Sequence, residues 1–194
     1  MLETTKNMIK AFVGESQARN RYTMYAKAAE KEGFIQVSDV FLLTAENERE
    51  HAKWFFRMLQ DVKKEETEDI DELMINVPAD LKIGNTKENL LDAIKGEHEE
   101  NSGIYPEFAK VAEDEGFPDI AARIRSISKA EEHHEERYTK LLDVLENNTV
   151  FKKPDKRYWV CRQCGYVHDG NEPPEKCPSC SHPKNYFSVL CEIF

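Results

Sequence analysis

Two Glu-x-x-His tetrads, Glu48 to His51 and Glu131 to His134, and two Cys-x-x-Cys pairs, Cys161 with Cys164 and Cys177 with Cys180, are the residues of this chain best suited to chemistry. On a helix, residues three apart share a face, so each tetrad aims a carboxylate and an imidazole at one point. Hard carboxylate oxygens with one imidazole per metal suit iron or manganese better than zinc or copper. The cysteine pairs, separated by twelve residues, have the spacing of a tetrahedral thiolate site for zinc or iron.

One Glu-x-x-His is cheap in a chain with 37 acidic residues. The weight comes from duplication. The tetrads lie 83 positions apart, and Ala26-Lys27-Ala28-Ala29-Glu30-Lys31-Glu32-Gly33-Phe34 returns at the same offset as Ala109-Lys110-Val111-Ala112-Glu113-Asp114-Glu115-Gly116-Phe117. Tyr22 maps onto Tyr105 in that register.

Four long helical patterns must position these residues. The first runs from Thr4 to Glu32 and stops at Gly33; the second opens at Ser38 as N-cap and fades near Lys63. The third opens after Gly84-Asn85-Thr86 and stops at Gly116, and the fourth runs from Pro118 to Asn148. The tight connections at Gly33 and Gly116 make each copy an antiparallel hairpin. Between the hairpins, Glu65 to Asn85 is polar and without helical period. Its roughly 21 residues can reach on the order of 70 Å, whereas a 28-residue helix is about 42 Å long. The link can therefore run the length of the bundle, as the ferritin-like topology with its long crossover requires.

Apolar residues and ligand-type residues share one stripe on each helix. On the fourth it reads Ile120, Ile124, Ile127, Glu131, His134, Tyr138, Leu141 and Leu145; on the second, Phe41, Ala45, Glu48, Ala52, Phe55 and Leu59. Phe12 and Tyr22 put Glu15 on the inward face of the first helix, and Leu90 and Ile94 lead to Glu97 and then Glu100 on the third. Ionised carboxylates in a dry core cost on the order of tens of kcal/mol, so cations must neutralise them. One Glu from each of two helices plus a Glu-x-x-His from each of the others is the di-iron or di-manganese set, filled by Glu15, Glu48, His51, Glu97, Glu131 and His134.

The repeat breaks twice near this set. Glu15 is seven residues before Tyr22 but Glu97 is eight before Tyr105, so one extra residue predicts a π-bulge between Leu90 and Phe108. Glu100 answers Gln17 and exceeds the six-ligand set, which gives one metal a choice of partners that can change with oxidation state.

Residues 1–147 thus read as the bundle, 148–156 with Lys152-Lys153-Pro154-Asp155 as a linker, and 157–194 as a separate metal unit. The last is too small for a stable apolar core and calls for a staple. Gly165 and Pro178 permit tight turns whose N–H groups can point at sulfur, with Tyr158, Trp159, Tyr166 and Phe187 as a small aromatic core. Beside a di-metal site, iron is favoured over zinc, because it exchanges an electron where zinc is redox silent. Cys191, outside both pairs, reads as a buried apolar thiol, Trp54 as packing, and His98 and His133 as residues off the inward stripe.

A formal charge of −10 disfavours nucleic acid as a partner. The start, Met1-Leu2-Glu3-Thr4-Thr5-Lys6, lacks a signal-peptide pattern, and no apolar run could span a membrane. All five cysteines follow residue 160, a distribution that suits metal binding in a reducing compartment, and a cytoplasmic location is expected.

The segments Phe12-Val13-Gly14-Glu15-Ser16-Gln17-Ala18-Arg19-Asn20-Arg21-Tyr22, Glu46-Asn47-Glu48-Arg49-Glu50-His51-Ala52-Lys53, Gly96-Glu97-His98-Glu99-Glu100 and Ala130-Glu131-Glu132-His133-His134-Glu135, followed by the four-cysteine unit, resemble rubrerythrin over nearly the whole chain. The resemblance implies a cytoplasmic non-haem peroxidase that protects against oxidative stress by reducing hydrogen peroxide to water. It implies two irons in the bundle and a third in a rubredoxin-like unit that relays electrons from NAD(P)H through a rubredoxin or reductase. Glu15, Glu48, Glu97, Glu100, Glu131 and His134 match the ligands of the oxidised site; on reduction, one iron would leave Glu100 for His51. Tyr22 and Tyr105 match tyrosines that hydrogen-bond near the ligands. A homodimer or higher homo-oligomer, packed head to tail, is expected.

Two other readings use the same residues. A ferroxidase or iron-storage protein shares the bundle but has no evident need of a one-electron relay, and would form a hollow assembly. A non-enzymatic scaffold would carry zinc in the cysteine unit and be colourless.

Overall fold

The computed structural model describes residues 1–68 and 70–192. Helix α1 spans Glu3–Lys31 and α2 spans Ile35–Val62, followed by a 3-10 turn at Lys63–Glu65. Helix α3 (Thr86–Glu99), a π-helical segment (Glu100–Ile104) and α4 (Tyr105–Asp114) form one continuous rod, and α5 spans Pro118–Glu146. The expected bulge is present, inside the predicted interval. Pro106, in the first turn of α4, adds a local cause, because it has no N–H to continue the α-helical ladder across that point.

Helix α2 begins three residues before the predicted Ser38 cap. Gly33 takes φ 86°, and its N–H donates to the Glu30 carbonyl while Phe34 N–H reaches Ala29, the paired bonds of a Schellman stop. The chain leaves that turn already aimed into α2, so Ser38 lies inside the helix with its N–H on the Phe34 carbonyl, and no side-chain cap is used. Gly116 and Phe117 repeat the device between α4 and α5.

The crossover runs along α1. Glu66 accepts from Leu2 N–H, Pro78 from Gln17, Asp80 pairs with Arg21, and the Lys82 carbonyl accepts from Tyr25 before the chain enters α3 beside Glu32. The second hairpin is thereby delivered to the far end of the bundle, giving the ferritin-like arrangement.

Two apolar clusters fill the bundle, one around Met8, Phe55, Met58 and Ile124, the other around Tyr22, Tyr25, Phe41, Leu90 and Tyr138. The buried carboxylates lie on the same helical stripes between them.

Strands β1 (Arg157–Cys161), β2 (Val167–Gly170) and β3 (Phe187–Val189) form an antiparallel sheet in the order β2-β1-β3. Trp159, Cys161, Cys177 and Phe187 are its core, and Trp159 Nε1 donates to the Gly170 carbonyl. Tyr158 does not join them: alternation along β1 turns it outward, and it is 61% exposed. Cys191 is likewise exposed, because it follows the last strand rather than lying within it. The unit touches the bundle through an Arg162–Asp39 ion pair near the start of α2.

Candidate metal centres

Glu15 from α1, Glu48 and His51 from α2, Glu97 from α3, and Glu131 and His134 from α5 meet in the middle of the bundle. Their ligand atoms form two overlapping quartets, Glu15, Glu48, His51 and Glu131, and Glu48, Glu97, Glu131 and His134. Glu48 and Glu131 belong to both. Glu48 turns Oε2 toward His51 Nδ1 at 2.9 Å and Oε1 toward His134 Nδ1 at 3.2 Å; Glu131 presents Oε1 and Oε2 to the same two nitrogens, each at 2.8 Å. Glu97 Oε2 lies 3.3 Å from His134 Nδ1 and Glu15 Oε1 lies 3.9 Å from His51 Nδ1. Each shared carboxylate thus offers one oxygen to each quartet, the disposition of a bridge between two cations.

The donor atoms fit that role. Glu15 Oε2, Glu48 Oε1, Glu97 Oε2, both oxygens of Glu131 and His134 Nδ1 are buried without hydrogen-bond partners, although Glu131 Oε2 and His134 Nδ1 are only 2.8 Å apart. Buried polar atoms are seldom left so, since each orphan costs about 1–3 kcal/mol. Atoms whose lone pairs face one point are satisfied together by a cation at that point. Once ionised, the four carboxylates would carry four negative charges, which two divalent ions would balance.

Protons compete for the same atoms. Burial pushes Glu97 up to about 8 and Glu15 well above the carboxylate range. For Glu48 burial acts the same way, but its contacts with His134 and His51 outweigh it and hold the carboxyl low. Burial disfavours charge on both rings, yet Glu131 and Glu48 raise His51 to about 9, and the same pair with Glu97 raises His134 to about 12.

Tyrosines of each copy hold the ligand of the other. Tyr22 donates to Glu97 Oε1 at 2.6 Å and Tyr105 to Glu15 Oε1 at 2.5 Å. Both rings are buried, so the hydroxyls have no competing solvent.

Glu100 is the one expected ligand that neither quartet includes. It opens the π segment, half-buried, near enough to Glu15, Glu97 and Glu131 to repel their charge, and burial pushes its own carboxyl well above the usual range. His51 completes the first quartet instead. His98 pairs with Glu135 on the surface and His133 is exposed, as their positions off the stripe suggested. Trp54 packs beneath Arg123, whose guanidinium carbon is 3.8 Å from the ring centroid.

Asn101, which drew no attention in the sequence, clamps the bulge. Its Nδ2 donates to the Glu97 carbonyl at 2.8 Å and to Glu135 Oε2 at 2.7 Å, and its carbonyl accepts from Ser128 Oγ at 3.1 Å. The only available signal was its position inside the extra turn.

The four cysteines Cys161, Cys164, Cys177 and Cys180 also converge. Cys161 and Cys180 sulfurs are 3.7 Å apart, and Cys164 and Cys177 sulfurs 3.6 Å. A tetrahedron with metal–sulfur bonds of about 2.3 Å has edges of about 3.8 Å. Backbone N–H groups of Tyr166 and His182 point at Cys164 and Cys180. The first of these contacts and the neighbouring thiols lower Cys164 to about 6.

Comparison with known proteins decides the family. The profile described as Rubrerythrin matches residues 6–142 and that described as Rubrerythrin, rubredoxin-like domain matches residues 159–188. A putative rubrerythrin of Methanocaldococcus jannaschii is 55% identical over 100% of this chain and 96% of that protein. The chain belongs to the rubrerythrin family. Rubrerythrin-1 of Clostridium acetobutylicum is 50% identical over 99% of this chain and 96% of its own length. Among solved structures, a partially reduced nigerythrin is similar with a TM-score of 0.63 and 29% identity over 98% of this chain and 88% of that one. The rubrerythrin set of cofactors, a di-iron carboxylate and histidine centre plus a four-thiolate iron, accordingly has both of its sites here. Among the described residues no helix is long and apolar enough to cross a membrane.

Proposed function

We propose that this protein is a cytoplasmic peroxidase that reduces hydrogen peroxide to water with electrons originating from NAD(P)H. The observation that carries the proposal is the pair of quartets sharing Glu48 and Glu131 in a chain that also carries a four-thiolate site. Peroxide reduction takes two electrons and two protons to yield two waters. Two ferrous ions bound by the quartets would supply both electrons together, and an iron bound by the four thiolates would restore them singly.

The residues divide the work. Glu15, Glu48, His51 and Glu131 would hold one iron and Glu48, Glu97, Glu131 and His134 the other. Tyr22 and Tyr105 orient Glu97 and Glu15. We assign Glu100 as the partner that replaces His51 when the centre is oxidised: it stands beside the cluster, outside it, while His51 is in. Cys161, Cys164, Cys177 and Cys180 would hold the third iron. Within one chain, Arg162 beside Cys161 meets Asp39, nine residues before Glu48 on α2. That is about 14 Å of helix. The relay we expect is a head-to-tail homodimer that passes electrons from one subunit's thiolate unit to the other's bundle. Its donor is a rubredoxin or an NAD(P)H-linked reductase.

The test is anaerobic reduction of the purified protein followed by one equivalent of peroxide per di-iron centre, with both chromophores followed by stopped flow. Peroxide is expected to reoxidise the bundle irons far faster than air does. Equal rates would overturn the proposal.

A further inference from the structure

A cavity of about 570 Å³ opens between α1, the crossover and the rod of α3, the π segment and α4. Hydrogen peroxide needs little more than the roughly 30 Å³ that one water takes in the liquid. The cavity is instead within the size range of sites for organic ligands, about 300–1,000 Å³. Glu100 and Tyr105 form part of its wall, and Tyr105 donates to Glu15, so a single side chain stands between the cavity and the nearer quartet; none of the six converging ligands lines the cavity itself.

Its apolar wall is made by Ala11, Val77, Pro78, Ala79, Ile104 and Phe108. Charges of both signs line the cavity, Lys10, Lys82 and Lys95 against Asp92, Glu99 and Glu107, with Arg21 already paired to Asp80 at 3.6 Å. Such a lining selects neither an anion nor a cation.

Two glycines keep the space. Gly14 and Gly96 sit inside α1 and α3, each immediately before a buried ligand, Glu15 and Glu97, and both line the cavity. Glycine in a helix interior is unfavourable relative to alanine. Neither position has a positive φ that would demand it. A Cβ on Gly14 would meet nothing within 4 Å, and one on Gly96 only the tip of Arg21 at 3.8 Å. Side chains there would occupy the cavity itself.

We infer that this cavity binds the organic group of an uncharged alkyl or aryl hydroperoxide and presents its O–O bond to the di-iron centre. The reaction is ROOH plus two electrons and two protons to ROH plus water. The O–O bond breaks, the two electrons would be supplied by ferrous ions bound in the quartets, and the alcohol remains in the cavity until released. The inference rests on the peroxidase reading and extends its substrate class.

Binding and turnover test it separately. The iron-free protein, isotopically labelled, is titrated with cumyl alcohol, the product of cumene hydroperoxide, and followed by NMR; saturable shifts are expected at Ala11, Ala79, Ile104 and Phe108. The Gly14→Leu variant fits a side chain into the open space, and its affinity for cumyl alcohol is expected to fall at least tenfold. In the iron-loaded protein the same variant is expected to lower the ratio of kcat/KM for cumene hydroperoxide to that for hydrogen peroxide by tenfold or more. Circular dichroism establishes that the variant is folded. Hydrogen peroxide turnover without cumyl alcohol binding or cumene hydroperoxide turnover would refute this inference and leave the peroxidase reading standing. Loss of both substrates in the wild-type protein would refute the reading itself.

Discussion

The two tyrosine contacts give a site-resolved test of the metal centre. Tyr105→Phe removes the hydroxyl that donates to Glu15, and Tyr22→Phe the one that donates to Glu97; neither change adds volume. A hydrogen bond to a charged group contributes about 1.5–3 kcal/mol. Glu15 and Glu97 are fully buried, so no solvent screens that loss. At about 1.4 kcal/mol per decade, affinity for the metal served by each Glu should fall on the order of tenfold to a hundredfold, as is typical of groups that orient ligands. The effect should be selective, because Glu15 serves only the quartet with His51 and Glu97 only the quartet with His134. The donated bond also favours the ionised form of Glu15, against burial, so its loss drives the Glu15 carboxyl further up. The deficit should therefore grow as pH falls. Anaerobic calorimetry with ferrous ion should show two sites in wild type and one weakened site in each variant. Two undisturbed affinities in both variants would refute the assignment of these tyrosines, and equal weakening of both sites would refute its selectivity.

Metal entry should release protons. At pH 7, His51 at about 9 and His134 at about 12 are charged and Glu97 at about 8 is mostly protonated, so affinity should rise with pH, and calorimetry in buffers of different ionisation enthalpy should detect the release. Asn101→Ala strips the clamp from the bulge and should cost about 1–3 kcal/mol, seen as a drop of about 2–4 °C per kcal/mol in the melting temperature of the loaded protein. Glu115 accepts from Glu3 and Thr4 N–H at the start of α1, and Glu115→Gln should destabilise by about 1 kcal/mol in denaturant titration, as for other helix caps.

Most of the site was legible because it depends on helical spacing. Stripes of period three and four placed Glu15, Glu48, Glu97, Glu131 and His134 inward, and the one-residue mismatch between copies located the π segment. Contacts between distant segments were not legible. Ser38 looks like a cap in isolation, but the Gly33 turn had already started the helix. Glu100 and His51 are both one turn from a ligand; the Glu-x-x-His motif marked His51 for the set and left Glu100 surplus, and the packed geometry keeps that division, with His51 in a quartet and Glu100 beside it. Tyr158 and Trp159 are both aromatic neighbours of Cys161, and strand alternation chooses between them.

The duplication explains why the two hairpins need each other. Glu115 at the end of the second caps α1, and Glu32, its counterpart at the offset of 83, accepts from Thr86 N–H at the start of α3. Tyr22 and Tyr105 make the same exchange around the metals. A hairpin alone would leave its ligands, helix start and tyrosine hydroxyl without partners, each a loss of order 1 kcal/mol or more. Pairing satisfies them reciprocally, and the shared carboxylates Glu48 and Glu131 come from opposite hairpins. Neither copy contains a complete quartet, so metals bound there would be held across the interface and would stabilise the pairing that creates their site.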